Sequence, residues 1–238
     1  MATNYGYATG FAKAGLKYGF DVKEVWHLRG FDKFNSSKEA VKALLALNKA
    51  KQQLKHALDK SDPQGYLISL ISEYLNEADY ALAENIVRTY KQIFNSEEGR
   101  KLIRQISGAE EAVAELRNKG YRLAVFTNSS SDSVKRDMPY WKQFEFILSE
   151  DEVPRRKPYG DGIRIAMSKA GVLPDETAYI GDAASDISAA RDAGCKAIAV
   201  LSGMGTAADL EKANPDMIFE DLLELAKFMK QIPKVINR

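Results

Sequence analysis

A single cysteine, Cys195, stands among the 238 residues of this chain, so no disulfide can close within it. That usage fits a reducing compartment, and the cytoplasm is the expected location. Long apolar runs are also missing. The longest are a handful of residues, far short of the ~20 that a membrane-crossing helix needs. The first twenty residues lack the basic-then-apolar design of a secretory signal. Charge of one sign is lacking as well: 34 basic residues against 33 acidic ones leave a formal net charge of +1. Nothing in that balance favours nucleic acid or an anionic membrane as a partner. Histidine is scarce, with only His27 and His56, and neither has a setting that singles it out for catalysis.

What is present describes an ordinary globular protein, 45% hydrophobic and 28% charged, long enough for one large domain or two modest ones. Its two halves read differently. From about residue 3 to residue 119 the spacing predicts helices almost throughout. Tyr7, Phe11, Ala12 and Leu16 share one face. Residues 40–58 read as one amphipathic helix through Val41, Leu44, Leu45 and Leu47. The run from Ser61 to Gly65 breaks that pattern and opens a further helix through Leu67, Leu70 and Leu75; another is expected over 81–94. No strand signal precedes Arg122. Beyond Gly108 strands and helices alternate, with strands expected at 122–126, 144–148, 177–180, 197–201 and 217–219. Such alternation implies an α/β fold with a doubly wound parallel sheet, whose ligands bind beyond the carboxyl ends of the strands. The domains expected are a helical one over 1–95, read as a cap, and an α/β core over 96–238.

Candidate chemistry gathers at the strand ends. Asp182 closes a short apolar strand, and Asp186 falls in the first turn of the helix that follows. Two carboxylates so placed can face one hard cation, and Mg²⁺ suits oxygen ligands of this kind. The plainer reading makes Asp182 a helix cap and Asp186 a favourable charge at the helix amino end. Thr127 ends the strand at 122–126 and could merely begin a turn. Lys157 precedes Pro158, which disfavours helical geometry at the lysine and suits a side chain projecting from a loop. Gly203-Met204-Gly205-Thr206 lacks a lysine and reads as a turn rather than a phosphate loop.

Taken in order, a strand-end hydroxyl, a Lys-Pro and G-D-x-x-x-D (Gly181 to Asp186) resemble the second, third and fourth motifs of the haloacid dehalogenase-like superfamily, in its phosphoglycolate-phosphatase and β-phosphoglucomutase branch. The similarity at the fourth motif continues through Ile187 to Gly194. The resemblance implies a Rossmannoid core under an α-helical cap, and Mg²⁺-dependent hydrolysis of a small phosphorylated metabolite. It assigns Thr127, with backbone N–H groups of Asn128 and Ser129, to the phosphoryl oxygens. Lys157 would neutralise phosphate and nucleophile, and Asp182 and Asp186 would serve the metal. A phosphomutase of the same branch would need a proton shuttle in the cap, where His27 and Lys51 are candidates; Tyr5, Trp26 and Arg29 could line the substrate pocket. Substrate and oligomeric state are left open.

The first motif of that family, a strand ending in D-x-D, has no counterpart here. Its first Asp would attack phosphorus and its second would act as acid and base. Phe20-Asp21-Val22 and Gly160-Asp161-Gly162 lack both the preceding apolar run and the second acid. The resemblance therefore starts one strand late. Either an internal methionine stands as the start and the full protein carries the strand, or the chain is a non-catalytic phosphate-binding relative. Removing a central strand would strand buried backbone groups at about 1–3 kcal/mol each, which favours the first explanation.

Overall fold

The structure is a computed structural model that describes residues 22–29, 31–34, 36–101, 103, 105–203 and 205–231. The expectations for Tyr5, Tyr7, Phe11, Leu16, Phe20-Asp21 and Met204 lie outside these residues. The chain divides into two compact units between residues 104 and 105.

The helical unit contains α1 (Val22–Arg29), α2 (Ser37–Lys49), α3 (Leu54–Leu58), α4 (Pro63–Tyr74), α5 (Glu77–Asn95) and α6 (Glu97–Arg100). The single helix expected over 40–58 is two. Lys51 takes φ 53°, a left-handed conformation that ends α2, and Leu54 restarts the chain as α3. The helix expected from residue 81 begins earlier because Asn76 and Asp79 form a reciprocal capping box at the start of α5. α2 packs on α4 and α5, burying Val41, Leu44, Leu45, Leu67, Ile86 and Tyr90 in one core.

The second unit alternates as the sequence predicts: α7 (Ala109–Asn118), β1 (Val125–Phe126), α8 (Ser131–Asp137), β2 (Ile147–Leu148), α9 (Asp161–Ala170), β3 (Ala178–Gly181), α10 (Ala184–Ala193), β4 (Lys196–Val200), α11 (Ala207–Lys212), β5 (Met217–Phe219) and α12 (Leu222–Gln231). Every ladder is parallel. Helices cover both faces. Ala197 and Ala199 of β4 face a core shared with Ile163 of α9 and Ile187 of α10, whereas Ile198 and Val200 face Leu225 of α12. A strand buried on both sides reads as a continuous apolar run, as Ala197–Val200 does.

The ladder falls into two pieces, β1–β2 and β3–β4–β5. This explains why the strand expected over 122–126 shortens to two residues. Leu123 still accepts from Glu145 N at 2.8 Å, but no described strand lies on its other side. The expected strand at 144–148 shortens for a second reason. Residues Trp141–Gln143 form a 3₁₀ turn, capped when Phe144 N donates to Trp141 O, which delays the ladder to Ile147.

Candidate functional site

β1 delivers Thr127 to the carboxyl end of its strand, where it is 3% exposed. Its N–H continues the ladder to Leu148 O at 3.0 Å, while its Oγ1 accepts from Ser129 N at 3.1 Å. The hydroxyl thus shapes the turn at Asn128 and Ser129. Asn128 Oδ1 is buried there without a hydrogen-bond partner in the structure. An acceptor left so costs about 1–3 kcal/mol, and such groups concentrate where a ligand or water completes the site.

Lys157 comes from the loop before α9, and that loop is clamped at several points. Arg155 makes a bidentate pair with Asp161 at 2.8 and 2.7 Å, which holds the Asp161 carboxyl below the usual range. Gly160 N donates to Asp192 Oδ2 of α10 at 2.7 Å. The backbone can approach α10 this closely only because residue 160 is glycine: a Cβ would lie 2.6 Å from Ala193 N and 2.8 Å from Ala189 O. The clamp turns the Lys157 side chain inward to 8% exposure. Its Nζ donates to Asp186 Oδ1 at 2.6 Å and to Tyr179 Oη at 3.2 Å, and sits over the Phe126 and Tyr179 rings. Burial disfavours the ammonium, but the Asp186 carboxylate outweighs it and holds the lysine above its ordinary range.

Asp186 is engaged through both of its oxygens. Its Oδ2 accepts from the N–H groups of Asp182 and Ala183, both at 3.0 Å, and its Oδ1 takes Lys157. One carboxylate closes the amino end of α10, as the plain reading expects, and also neutralises a buried ammonium. Asp182 stands at the end of β3, its carbonyl accepting from Gly205 N at 2.7 Å. A Cβ at Gly203 would fall 2.1 Å from Asp182 Oδ2, so only glycine at 203 lets the backbone pack this closely on that side chain. Thr206 caps α11, its side chain accepting from Asp209 N.

Among the described residues no group of three or more His, Cys, Asp or Glu side chains converges on a point. The donors nevertheless suit magnesium, which takes one or two carboxylates and fills its remaining positions with water and substrate oxygens. Asp182 offers a carboxylate at the end of β3, and Asp186 has lone pairs beyond its three bonds.

Thr127, Lys157, Asp182 and Asp186 fall in one unit and at one end of its strands. The residue that links them was not singled out from sequence. Tyr179 Oη donates to Phe126 O at 3.0 Å and accepts from Lys157, tying the strand end at Thr127 to the Lys157–Asp186 pair. Burial pushes its phenol well above the usual value. Its neighbourhood to Asp182 was the available signal, but an apolar strand position gives no hint that a tyrosine there points at a lysine. Asp192 was missed similarly, as an ordinary helix acid. His27 packs near the Phe31 ring and Lys51 marks the turn after α2, both in the helical unit.

Residues 32–200 match the family model of the haloacid dehalogenase-like hydrolases. The chain is 28% identical over 127 residues to a phosphoglycolate phosphatase of Nitrosococcus oceani, covering 52% of this chain and 56% of that protein. It is 26% identical over 165 residues to the pyrophosphatase PpaX of Bacillus mycoides, covering 68% and 76%. The chain thus spans little more than half the length of the first of these relatives. Among solved structures, a protein from Lactobacillus delbrueckii subsp. bulgaricus assigned as a phosphoglycolate phosphatase superposes with a TM-score of 0.70 at 24% identity, over 95% of this chain and 92% of the other. A hydrolase from Pseudomonas syringae superposes at 0.66 with 20% identity, over 98% and 94%. These two share the fold, a parallel α/β core together with a helical unit. With the family model spanning well over half of its residues, the chain belongs to the haloacid dehalogenase-like hydrolases.

Proposed function

We propose that this protein hydrolyses a small phosphorylated metabolite in a Mg²⁺-dependent reaction, with Thr127, Lys157, Asp182 and Asp186 as the working residues. The observation that carries this reading is the buried ion pair of Lys157 and Asp186. A lysine held charged and dry beside a strand-end hydroxyl and a second carboxylate is costly to build, and its value lies in meeting a dianionic group. In water an ammonium and a phosphate attract weakly; in a partly desolvated corner the attraction grows severalfold.

In this reading Thr127 Oγ1 rotates from its turn role to donate to a phosphoryl oxygen, helped by the N–H groups of Asn128 and Ser129. Asn128 Oδ1, without a partner, takes a donor from substrate or water. Lys157 retains one N–H beyond those given to Asp186 and Tyr179, and that proton faces the phosphate. Asp182 and Asp186 would hold the magnesium, which when bound would supply charge neutralisation at the phosphoryl group. Hydrolysis through an aspartyl-phosphate would need a further carboxylate to accept the phosphoryl group, a role given to none of these four residues. We read the helical residues up to about 95 as a cap domain. The cytoplasm is the proposed compartment.

The relatives suggest phosphoglycolate and pyrophosphate as the first substrates to try. The test is phosphate release from both, by the 238-residue chain and by the chain preceded by a strand ending in D-x-D. The reading expects turnover only with the added strand, and loss of that turnover on chelation of magnesium and in both Lys157→Met and Thr127→Val. Turnover that survives chelation and both substitutions would overturn it.

A further inference from the structure

Tyr179 is the second residue of β3, in the run Ala178-Tyr179-Ile180, where the pleat asks only for a bulky residue that packs on its neighbours. Phenylalanine would meet that need, and the Tyr179 ring does pack on Phe126 with 6.2 Å between centroids. Tyrosine adds one oxygen, and that oxygen makes two hydrogen bonds, with Phe126 O at 3.0 Å and with Lys157 Nζ at 3.2 Å. Chemistry fixes their direction. A carbonyl can only accept and an ammonium can only donate, so the single hydroxyl proton goes to Phe126 and a lone pair to Lys157. Each end of this bridge reaches a group of the proposed site. Phe126 O belongs to the peptide unit that supplies Thr127 N, and that unit is pinned from its other side, where Thr127 N donates to Leu148 O at 3.0 Å. Lys157 Nζ carries three N–H groups. Asp186 Oδ1 takes one at 2.6 Å and Tyr179 Oη takes another.

We infer that Tyr179 is a positioning residue for Lys157: its hydroxyl bridge fixes where the remaining N–H of the ammonium points relative to Thr127. A tetrahedral nitrogen has four directions. With two of them tied to acceptors, the other two, the stem and the last N–H, follow. With Asp186 alone the nitrogen would pivot about that one bond, and the last N–H would sweep an arc. Both acceptors are themselves anchored, which makes them a frame. Asp186 is held by the amides of Asp182 and Ala183, and the Tyr179 oxygen by the Phe126 carbonyl. Neither can follow a displaced lysine without giving up bonds of its own. The frame therefore relates Lys157 to the strand end carrying Thr127 on one side and to the start of α10 on the other. Donors arranged in advance in this way need no reorganisation when an anion arrives. That the anion is a phosphoryl group rests on the reading proposed above; the bridge itself rests on two hydrogen bonds. Tyr179 touches no substrate atom, and its part is played through Lys157.

The test is Tyr179→Phe in the 238-residue chain, which keeps the ring that Nζ overlies at 5.7 Å and deletes only the oxygen. The first readout needs no ligand: the lysine ammonium resonances in a proton–nitrogen NMR correlation. In the parent one such resonance should stay sharp near neutral pH, because two acceptors shield its protons from exchange, and its loss in Lys157→Met assigns it. In Tyr179→Phe it should move, and its protons should exchange with water about threefold faster or more, the factor expected for one hydrogen bond. The second readout is calorimetric titration of inorganic phosphate, whose affinity should fall by about threefold or more in the same variant. Asp216→Ala is the control for stability alone: it frees Ala197 N at the amino end of β4, the far end of the sheet, and should leave both readouts as in the parent. Four results would overturn the inference: no sharp Lys157 resonance in the parent, a resonance indifferent to Tyr179→Phe, phosphate affinity indifferent to Tyr179→Phe, or an equal loss in Asp216→Ala. A parent that binds no phosphate while its Lys157 resonance answers to the hydroxyl would instead sink the phosphatase reading and uphold the bridge, so the two can fail separately.

Discussion

Asp186→Asn changes one atom and should be among the most damaging substitutions in the α/β unit. The aspartate has two oxygens and uses both: Oδ2 takes two backbone N–H groups and Oδ1 takes the Lys157 ammonium. Asparagine has one acceptor oxygen. If it faces the amides of Asp182 and Ala183, its NH₂ meets the ammonium donor to donor. If it faces Lys157, two amides at the start of α10 lose their acceptor. Both partners are nearly dry, at 8% and 5% side-chain exposure. Breaking a buried pair from one side costs about 3–5 kcal/mol because the remaining charge stays buried. Against a total of about 5–15 kcal/mol that is a large fraction, and it corresponds to a fall in melting temperature of roughly 10 °C for a chain of this size. Urea unfolding followed by far-UV circular dichroism measures it. Lys157 has a folded pKa above its unfolded one, so its contribution is full below the unfolded value, about 10.4, and fades only as pH rises through the raised value. The loss in Asp186→Asn should therefore be flat between pH 6 and 9. A variant within about 0.5 kcal/mol of the parent would refute the claim that this pair holds the corner together.

Other outcomes follow from neighbouring geometry. Gly160→Ala places a Cβ 2.6 Å from Ala193 N and should destabilise by about 1–3 kcal/mol, measured by the same unfolding curve, since backbone on α10 cannot step aside. Asp192→Ala removes the acceptor of Gly160 N and should cost about 1 kcal/mol, while leaving the fold intact by circular dichroism. Cys195 is buried and its thiol is pushed up by that burial, so a thiol reagent at pH 8 should label it only as fast as the protein opens. In the helical unit, Asn76→Ala breaks the capping box of α5 and should lower stability by about 1 kcal/mol.

Much of the α/β unit could be read directly from the chain because each element is announced by more than one signal. α8 and α11 begin where a serine or a threonine caps them, and α9 ends at the left-handed Gly171. The two shortened strands mark where such signals fail: a strand is defined by its neighbours, and Arg122 to Ala124 have an apolar pattern but no described neighbour on one side. The helix expected across residues 40–58 failed for a different reason. Its composition favours helix throughout, yet Lys51 adopts a left-handed turn that no propensity forbids strongly enough to predict. At the site, the order of Thr127, Lys157, Asp182 and Asp186 was visible because each sits beside a strand end or a proline. Their bonding was not. A carboxylate that serves two amides and a lysine at once, or a tyrosine that bridges two strands, is a product of three-dimensional placement and leaves no trace in spacing.

The central claim is that the carboxyl end of this sheet binds a phosphoryl group through Thr127 and Lys157 together with magnesium held by Asp182. Calorimetric titration of inorganic phosphate into the 238-residue chain, with and without Mg²⁺, tests it most directly because it needs no nucleophile and no knowledge of the substrate. The account predicts phosphate binding that strengthens with Mg²⁺, and that falls at least tenfold in Thr127→Val and in Asp182→Asn while both variants remain folded. Phosphate affinity indifferent to magnesium and to both substitutions would contradict it.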